Sequence, residues 1–322
     1  MTVTGPVTEV MRAGGSHIPD LLDRVERLLS EVAAGHGALL AEHAGATIAA
    51  GGKRLRPLLV FLAADTEEGD SLVRAAAAVE LVHSATLVHD DVLDAASLRR
   101  GVPTVVAVGG RGAATATGDL LFARAFAELA ANGRADEIQV LSEASSALAE
   151  GELLQRADAW NAEVSLERYL RRCELKTARL FEAACRLGAL EGGGAPEELG
   201  AFGRRIGLAF QLLDDVLDVS GPAQRTGKQR GTDLLDGTVT LPLILAREHD
   251  PELAALDPRA IRDPATAEGV CDRIEATGAL DEARRRALQI VDAAKVRLGD
   301  RMPARQRAAL ELVANGVVAR YA

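Results

Sequence analysis

Aromatic residues make up only 3% of the 322-residue chain, although 48% of it is hydrophobic. A core of that size has to be filled with Ala, Leu and Val, and the first two are strong helix formers, so composition leans towards α. The three cysteines (Cys173, Cys185, Cys271) are odd in number and widely spaced, which excludes a disulfide framework and a metal finger. They fit a reducing cytosol, and the chain is expected to be cytoplasmic. A net charge of −10 with no basic run argues against general nucleic-acid binding. No apolar run reaches the ~18–20 residues that span a bilayer. The longest, around Ala75 to Val88, is interrupted by Glu80, His83 and Ser84, so no transmembrane segment is expected. Residues 1–15 lack the apolar centre of a signal peptide and read as a flexible leader, with 16–322 as a single domain. Lysine is scarce too. Of four lysines against 33 arginines, three (Lys53, Lys176, Lys228) fall in the motifs below, where a compact point charge has a use that arginine does not serve.

Most of the chain has helical periodicity, punctuated by Gly, Pro or Asp. Helices are predicted over 18–34, 71–94, 113–131, 135–157, 166–190, 197–219, 241–248 and 281–298. The segment Gly101 to Gly110 (GVPTVVAVGG) has strand-like residues but is isolated. Glu191 to Ala195 reads as a break, and Gly221 to Gly237 as a polar loop. The predicted helices 71–94 and 197–219 are apolar around most of their circumference, as helices in the middle of a bundle are. The expected architecture is an all-α, single-domain bundle of many helices with two buried central ones.

Each of those two helices ends in the same five residues. Asp90-Asp91-Val92-Leu93-Asp94 closes the first, and Asp214-Asp215-Val216-Leu217-Asp218 the second. Residues four apart share a helix face, so Asp90 lies above Asp94 and Asp214 above Asp218. Like charges at that spacing destabilise a helix, and acids at its C-terminus oppose the macrodipole. A lone copy would be as well explained by a solvated helix end. Two matching copies on apolar helices call for a compensating cation, and a hard divalent metal suits carboxylate oxygens. Magnesium held by few carboxylates completes its shell with water and substrate phosphate, which points to a diphosphate bridged by several Mg²⁺ ions.

Cations gather near these clusters. Gly51-Gly52-Lys53-Arg54-Leu55-Arg56-Pro57 sets three of them between two glycines and a helix-starting proline, and Lys53 with Arg56 suits a second phosphate group. It is not a P-loop, because the GxxxxGK[ST] spacing is absent. Arg99 and Arg100 follow the first acidic cluster on a turn, either facing two diphosphates or neutralising the aspartates. Lys176 and Thr177 lie in a helix, Lys228 lies after the second cluster, and Gln211 stands three residues before Asp214. His83 precedes Asp90 by seven residues; taken alone it reads as a core histidine. His89 adjoins Asp90.

As a set, GGKRLRP (51–57), ELVHSATLVHDDVLD (80–94), RRGVPT (99–104), GELLQ (151–155), LKT (175–177), FQLLDDVLD (210–218), GKQRGTDL (227–234) and TLP (240–242) resemble the trans-isoprenyl diphosphate synthases, the polyprenyl synthetase family. The resemblance implies an all-α fold around a deep central cavity, usually as a homodimer. It implies isopentenyl diphosphate and allylic prenyl diphosphates as substrates, with three Mg²⁺ per site. Asp90, Asp94 and Asp214 would be the principal metal ligands, supported by Asp91, Asp215 and Asp218. Arg99, Lys176 and Lys228 would hold the allylic diphosphate; Lys53, Arg56, His83 and Arg100 would hold that of isopentenyl diphosphate. Thr177 and Gln211 would line the cavity near the reacting carbons. One departure is Thr238, where the family often has a second lysine ten residues after Lys228.

By the same resemblance, the residues upstream of Asp90 set product length. Val82, Ala85 and Thr86 are small, with no aromatic floor, which suggests a product of C30–C50, with a C20 synthase as the alternative. Two competitors fit less well. A class I terpene cyclase would line its cavity with aromatics and would have no second diphosphate to bind. A non-catalytic prenyltransferase subunit would be expected to have lost carboxylates.

Overall fold

The computed structural model describes residues 6–49, 52, 54–66, 69–99, 101–221, 230–299 and 302–319. Lys53, Arg100 and Lys228 of the basic motifs lie outside them. The fold is all-α. Among the described residues, strand pairing is confined to β1 (Leu98–Arg99) and β2 (Val102–Pro103), an antiparallel hairpin. The chain divides into two compact units, each discontinuous in sequence. The first comprises Met1–Ser145, Leu180–Gly203 and Leu298–Val313; the second comprises Ser146–Arg179, Arg204–Arg297 and Ala314–Ala322.

The first unit holds α1 (Pro6–Gly14), α2 (Ile18–Ala34), α3 (Ala38–Ala49), α4 (Leu55–Ala64), α5 (Asp70–Leu93) and α6 (Val105–Ala130). In α2 the buried residues Ile18, Leu21, Val25, Leu29 and Val32 recur at three and four, one stripe of a 3.6-residue period. Helix α5 is different. Its run Ala75–Ala78 is wholly buried, with Val79, Leu81 and Val82 beyond it, and its small side chains let α6 pack along its length. An 18-residue window of α5 has mean hydropathy 1.3 and is 72% buried, the condition of a core helix. As the predicted helix over 71–94 requires, α5 runs unbroken through Glu80, His83 and Ser84, which interrupt only its apolar run. Two expectations are corrected. Residues 6–14 of the predicted flexible leader form α1, whose Val10 is buried. The strand-like segment yields only β2, because Thr104 caps a new helix by accepting from the Ala107 amide, and α6 starts at Val105 with a kink at Gly110.

Helix α7 (Ala135–Asp158) opens in the first unit, and its residues from Ser146 belong to the second. There follow α8 (Leu166–Cys173), a π turn over Glu174–Ala178 and α9 (Arg179–Gly192), where the sequence predicted one regular helix. Gly188 and Gly192 of α9 lie against the α4 backbone; a Cβ at Gly188 would fall 2.1 Å from the Val60 carbonyl oxygen. Helix α10 (Pro196–Ser220) carries the second acidic pentad. Beyond it come α11 (Thr232–Leu235), α12 (Leu241–Arg247), α13 (Pro251–Ala255), α14 (Pro264–Ala276), α15 (Ala279–Val296) and α16 (Ala304–Ala319). Asp250 and Asp263 cap α13 and α14 through their carboxylates, each worth about 0.5–2 kcal/mol.

A polar cluster is buried in the first unit. Glu137 is fully buried and accepts from the Asn132 amide at 2.8 Å, while Asn132 also accepts from Arg74 at 2.7 Å. Burial, reinforced by the Glu191 carboxyl beside it and only partly offset by Asn132, pushes Glu137 up to about 8. Its folded pKa therefore exceeds the ordinary carboxylate value. Between about pH 5 and 8 the native state holds a proton that the unfolded chain has released, so this group's contribution falls as pH rises. Melting temperature should accordingly drop across that range, and Glu137→Gln should flatten the drop. An unchanged pH profile in Glu137→Gln would show that Glu137 does not hold the proton.

Candidate active site

In the first unit, α5 ends on Asp90, Asp91 and Asp94. A helix advances 100° per residue, so Asp91 points away from the face that Asp90 and Asp94 share. The structure follows this phase: Asp91 is only 5% exposed, Asp90 half-buried and Asp94 exposed. The β1–β2 hairpin, turning through Gly101 at φ 79°, brings Arg99 back onto the helix end. Its Nε and Nη2 both reach Asp91 Oδ1 at 2.8 Å. The RRGVPT stretch thus neutralises the inner aspartate through Arg99, and the Arg99 side chain remains 28% exposed.

Upstream on α5, His83 and Thr86 are half-buried, and Thr86 Oγ1 donates to the His83 carbonyl at 2.8 Å. Val82 and Ala85 have no exposed surface. Of the three small residues read as a channel wall, only Thr86 is accessible; the other two pack into the core. His89 stacks on Phe122 of α6, with ring centroids 5.8 Å apart, and its Nε2 lies 3.4 Å from Asp119. In the GGKRLRP stretch Arg56 lays its guanidinium over the Phe181 ring, 4.8 Å from the centroid. Arg54 turns inward instead.

The second pentad repeats the division. Asp215 is 3% exposed, whereas Asp214 and Asp218 are half-buried. Asp215 is held by neutral donors: Tyr169 Oη at 2.6 Å on one oxygen and Gln211 Nε2 at 2.7 Å on the other. Gln211 in turn accepts from Thr177 Oγ1 at 2.6 Å, so Thr177, Gln211, Asp215 and Tyr169 form one hydrogen-bonded chain. Burial, with Asp233 nearby, pushes Asp215 up to about 8 against the Tyr169 and Gln211 hydrogen bonds. Asp218 accepts from the Asp233 amide at 3.2 Å, which ties the GTDL stretch to the helix end. Thr238 closes that turn through its own amide, donating to the Asp233 carbonyl at 2.8 Å.

Lys176 sits within the π turn, a wide turn that often marks functional positions. Its Nζ reaches Glu152 Oε2 at 2.5 Å. Although burial acts the other way, Lys176 and Arg156 hold the Glu152 carboxyl below its usual range. Gly151 makes the approach feasible, since a Cβ there would lie 2.7 Å from the Lys176 amide nitrogen. The GELLQ and LKT stretches are therefore one structure.

The donor set suits a hard cation. Among the described residues no three His, Cys, Asp or Glu side chains close into a metal cage. Each pentad offers two accessible carboxylates on one face, as expected for magnesium that completes its shell with water and phosphate oxygens. Sequence reasoning missed Tyr169 and the inward course of Arg54; their partners lie 46 and 26–28 residues away, beyond any local pattern.

The polyprenyl synthetase family model matches residues 38–275. The octaprenyl diphosphate synthase of Escherichia coli K12 is 40% identical over 256 residues, covering 77% of this chain and 79% of that protein. Heptaprenyl diphosphate synthase component 2 of Geobacillus stearothermophilus is 39% identical over 282 residues, covering 85% and 87%. A polyprenyl synthase from Caulobacter crescentus CB15, crystallised with calcium and isoprenyl diphosphate, superposes with a TM-score of 0.91 at 36% identity, covering 100% of both chains. The chain belongs to the polyprenyl synthetase family, and it is a prenyltransferase.

Proposed function

We propose that this prenyltransferase condenses isopentenyl diphosphate with an allylic diphosphate, such as farnesyl or geranylgeranyl diphosphate, to give a C30–C50 polyprenyl diphosphate. The octaprenyl and heptaprenyl relatives support that length over a C20 product. The observation that carries the reading is the repeated pentad, with two accessible carboxylates and one withdrawn carboxylate at each helix end.

Asp90, Asp94 and Asp214 would hold Mg²⁺, three ions per site, with Asp218 in support. Bound there, the metal would stabilise the departing diphosphate. Asp91 and Asp215 would support these ligands from the buried side, where Arg99 pairs with the first and Tyr169 and Gln211 hydrogen-bond the second, fixing the helix ends. Arg99, Lys176 and Lys228 grip the allylic diphosphate. Lys53, Arg56, His83 and Arg100 grip that of isopentenyl diphosphate. As the allylic carbon–oxygen bond breaks, its electron pair leaves with diphosphate. The double bond of isopentenyl diphosphate then attacks the allylic carbon, and a proton lost to the released diphosphate restores an alkene. Thr177 and Gln211 present neutral dipoles, held by their mutual hydrogen bond, where positive charge develops.

We take residues 16–322 as one catalytic domain working as a homodimer in the cytoplasm, since the family match runs through both compact units. Purified protein with Mg²⁺, farnesyl diphosphate and labelled isopentenyl diphosphate should yield C30–C50 products after dephosphorylation. A C20 product would overturn the length, and no extension at all would overturn the activity.

A further inference from the structure

Arg54 stands between two cations assigned to phosphate, yet its side chain goes elsewhere. It has φ 47° and ψ 39°, the left-handed region that a non-glycine residue rarely occupies, immediately before α4. Four contacts hold it there. Nε meets Glu26 Oε1 at 2.5 Å, Nη2 meets Glu26 Oε2 at 3.0 Å, Nη1 meets Glu80 Oε1 at 2.7 Å, and Nη2 also donates to the Ile48 carbonyl at 3.0 Å. One guanidinium therefore joins α2, α3 and α5 to the start of α4. The Arg54 side chain is 11% exposed and that of Glu80 5%, so the pairing is shielded from water and salt.

Glu80 precedes His83 by three residues, about one turn along α5. Arg56 follows Arg54 by two. We infer that Arg54, clamped between Glu26 and Glu80, is a positioning residue that holds Arg56 and His83 in register for the diphosphate of isopentenyl diphosphate. This rests on the assignment of Arg56 and His83 to that substrate. Arg54 makes four directed contacts, two of them forked onto both oxygens of Glu26, and the single three-donor ammonium of lysine cannot reproduce that set. The left-handed backbone is a second reason for the clamp, because an L-residue stays in that region only when its surroundings hold it there.

A clamp that merely supported the fold would lower the melting temperature and affect both substrates alike. A positioning clamp acts on one substrate. Steady-state kinetics with each substrate varied in turn, beside thermal melts, separate the two for Arg54→Lys and the near-isosteric Glu80→Gln, with Arg56→Ala as reference. Expected is a roughly tenfold or greater rise in KM for isopentenyl diphosphate in both clamp variants, with the allylic KM within about twofold of normal. If Arg54→Lys fails to fold, Glu80→Gln decides. Equal rises for both substrates, or no rise in folded Glu80→Gln while Arg56→Ala does raise KM for isopentenyl diphosphate, would overturn the clamp alone. No rise in Arg56→Ala would overturn the substrate assignment and the clamp with it.

Discussion

Asp214→Asn protein is expected to fold normally and to turn over at least about 10²–10³-fold more slowly, the scale of losing one preorganised charge-stabilising group. Asp214 is one of the two accessible members of its pentad, one helical turn from the other, Asp218, and on the same face. Asparagine keeps the size but loses the negative charge that a hard cation requires. Stability should move the other way. Two carboxylates four residues apart repel by roughly 0.2–0.5 kcal/mol, so removing one charge leaves the helix unchanged or slightly more stable. Loss of activity with unchanged or raised melting temperature would mark a residue retained for chemistry rather than folding. Turnover and thermal melts on the same sample test this, and near-normal turnover in folded Asp214→Asn would refute the metal role.

Thr86→Phe should shorten the product from C30–C50 towards C20 or below while leaving the first condensation close to its normal rate. If the allylic diphosphate is held at Asp90, its tail runs back along α5, and Thr86 lies four residues upstream, roughly 6 Å away. Thr86 is half-buried with its hydroxyl turned to the His83 carbonyl, so a phenyl ring has accessible space to occupy there. Ala85 has none. A phenyl at Ala85 would enter a closed core and destabilise the fold by about 1–3 kcal/mol through overpacking. Chromatography of dephosphorylated products, with melts of both variants, distinguishes the positions. Wild-type product lengths from active Thr86→Phe enzyme would mean that the tail takes another path.

Much of this was legible in the residues because it depends on short periods. The stripe of α2, the apolar circumference of α5 and α10, and the shared face of Asp90 and Asp94 follow from 3.6 residues per turn. What escaped depends on partners far along the chain or on backbone detail that periodicity does not carry. Arg54 stood among the three cations of its motif without a role of its own, because neither Glu26 nor Glu80 is near it in sequence. Val105 to Gly110 looked like strand because valine and glycine are poor helix formers, yet the Thr104 cap starts α6 there. The wide turn at Glu174–Ala178 leaves no trace in hydrophobic spacing, since the buried residues on either side continue almost in phase.

That wide turn also decides which changes the segment can absorb. Replacing Leu175 would alter one buried contact, but deleting a single residue from Glu174–Leu175 would turn Lys176 and Thr177 by about 100° and draw them ~1.5 Å along the axis relative to Tyr169. The amine would then swing off Glu152, and the hydroxyl off Gln211. Here the count of residues is the constrained quantity, so divergence in this stretch should run through substitutions while its length stays fixed.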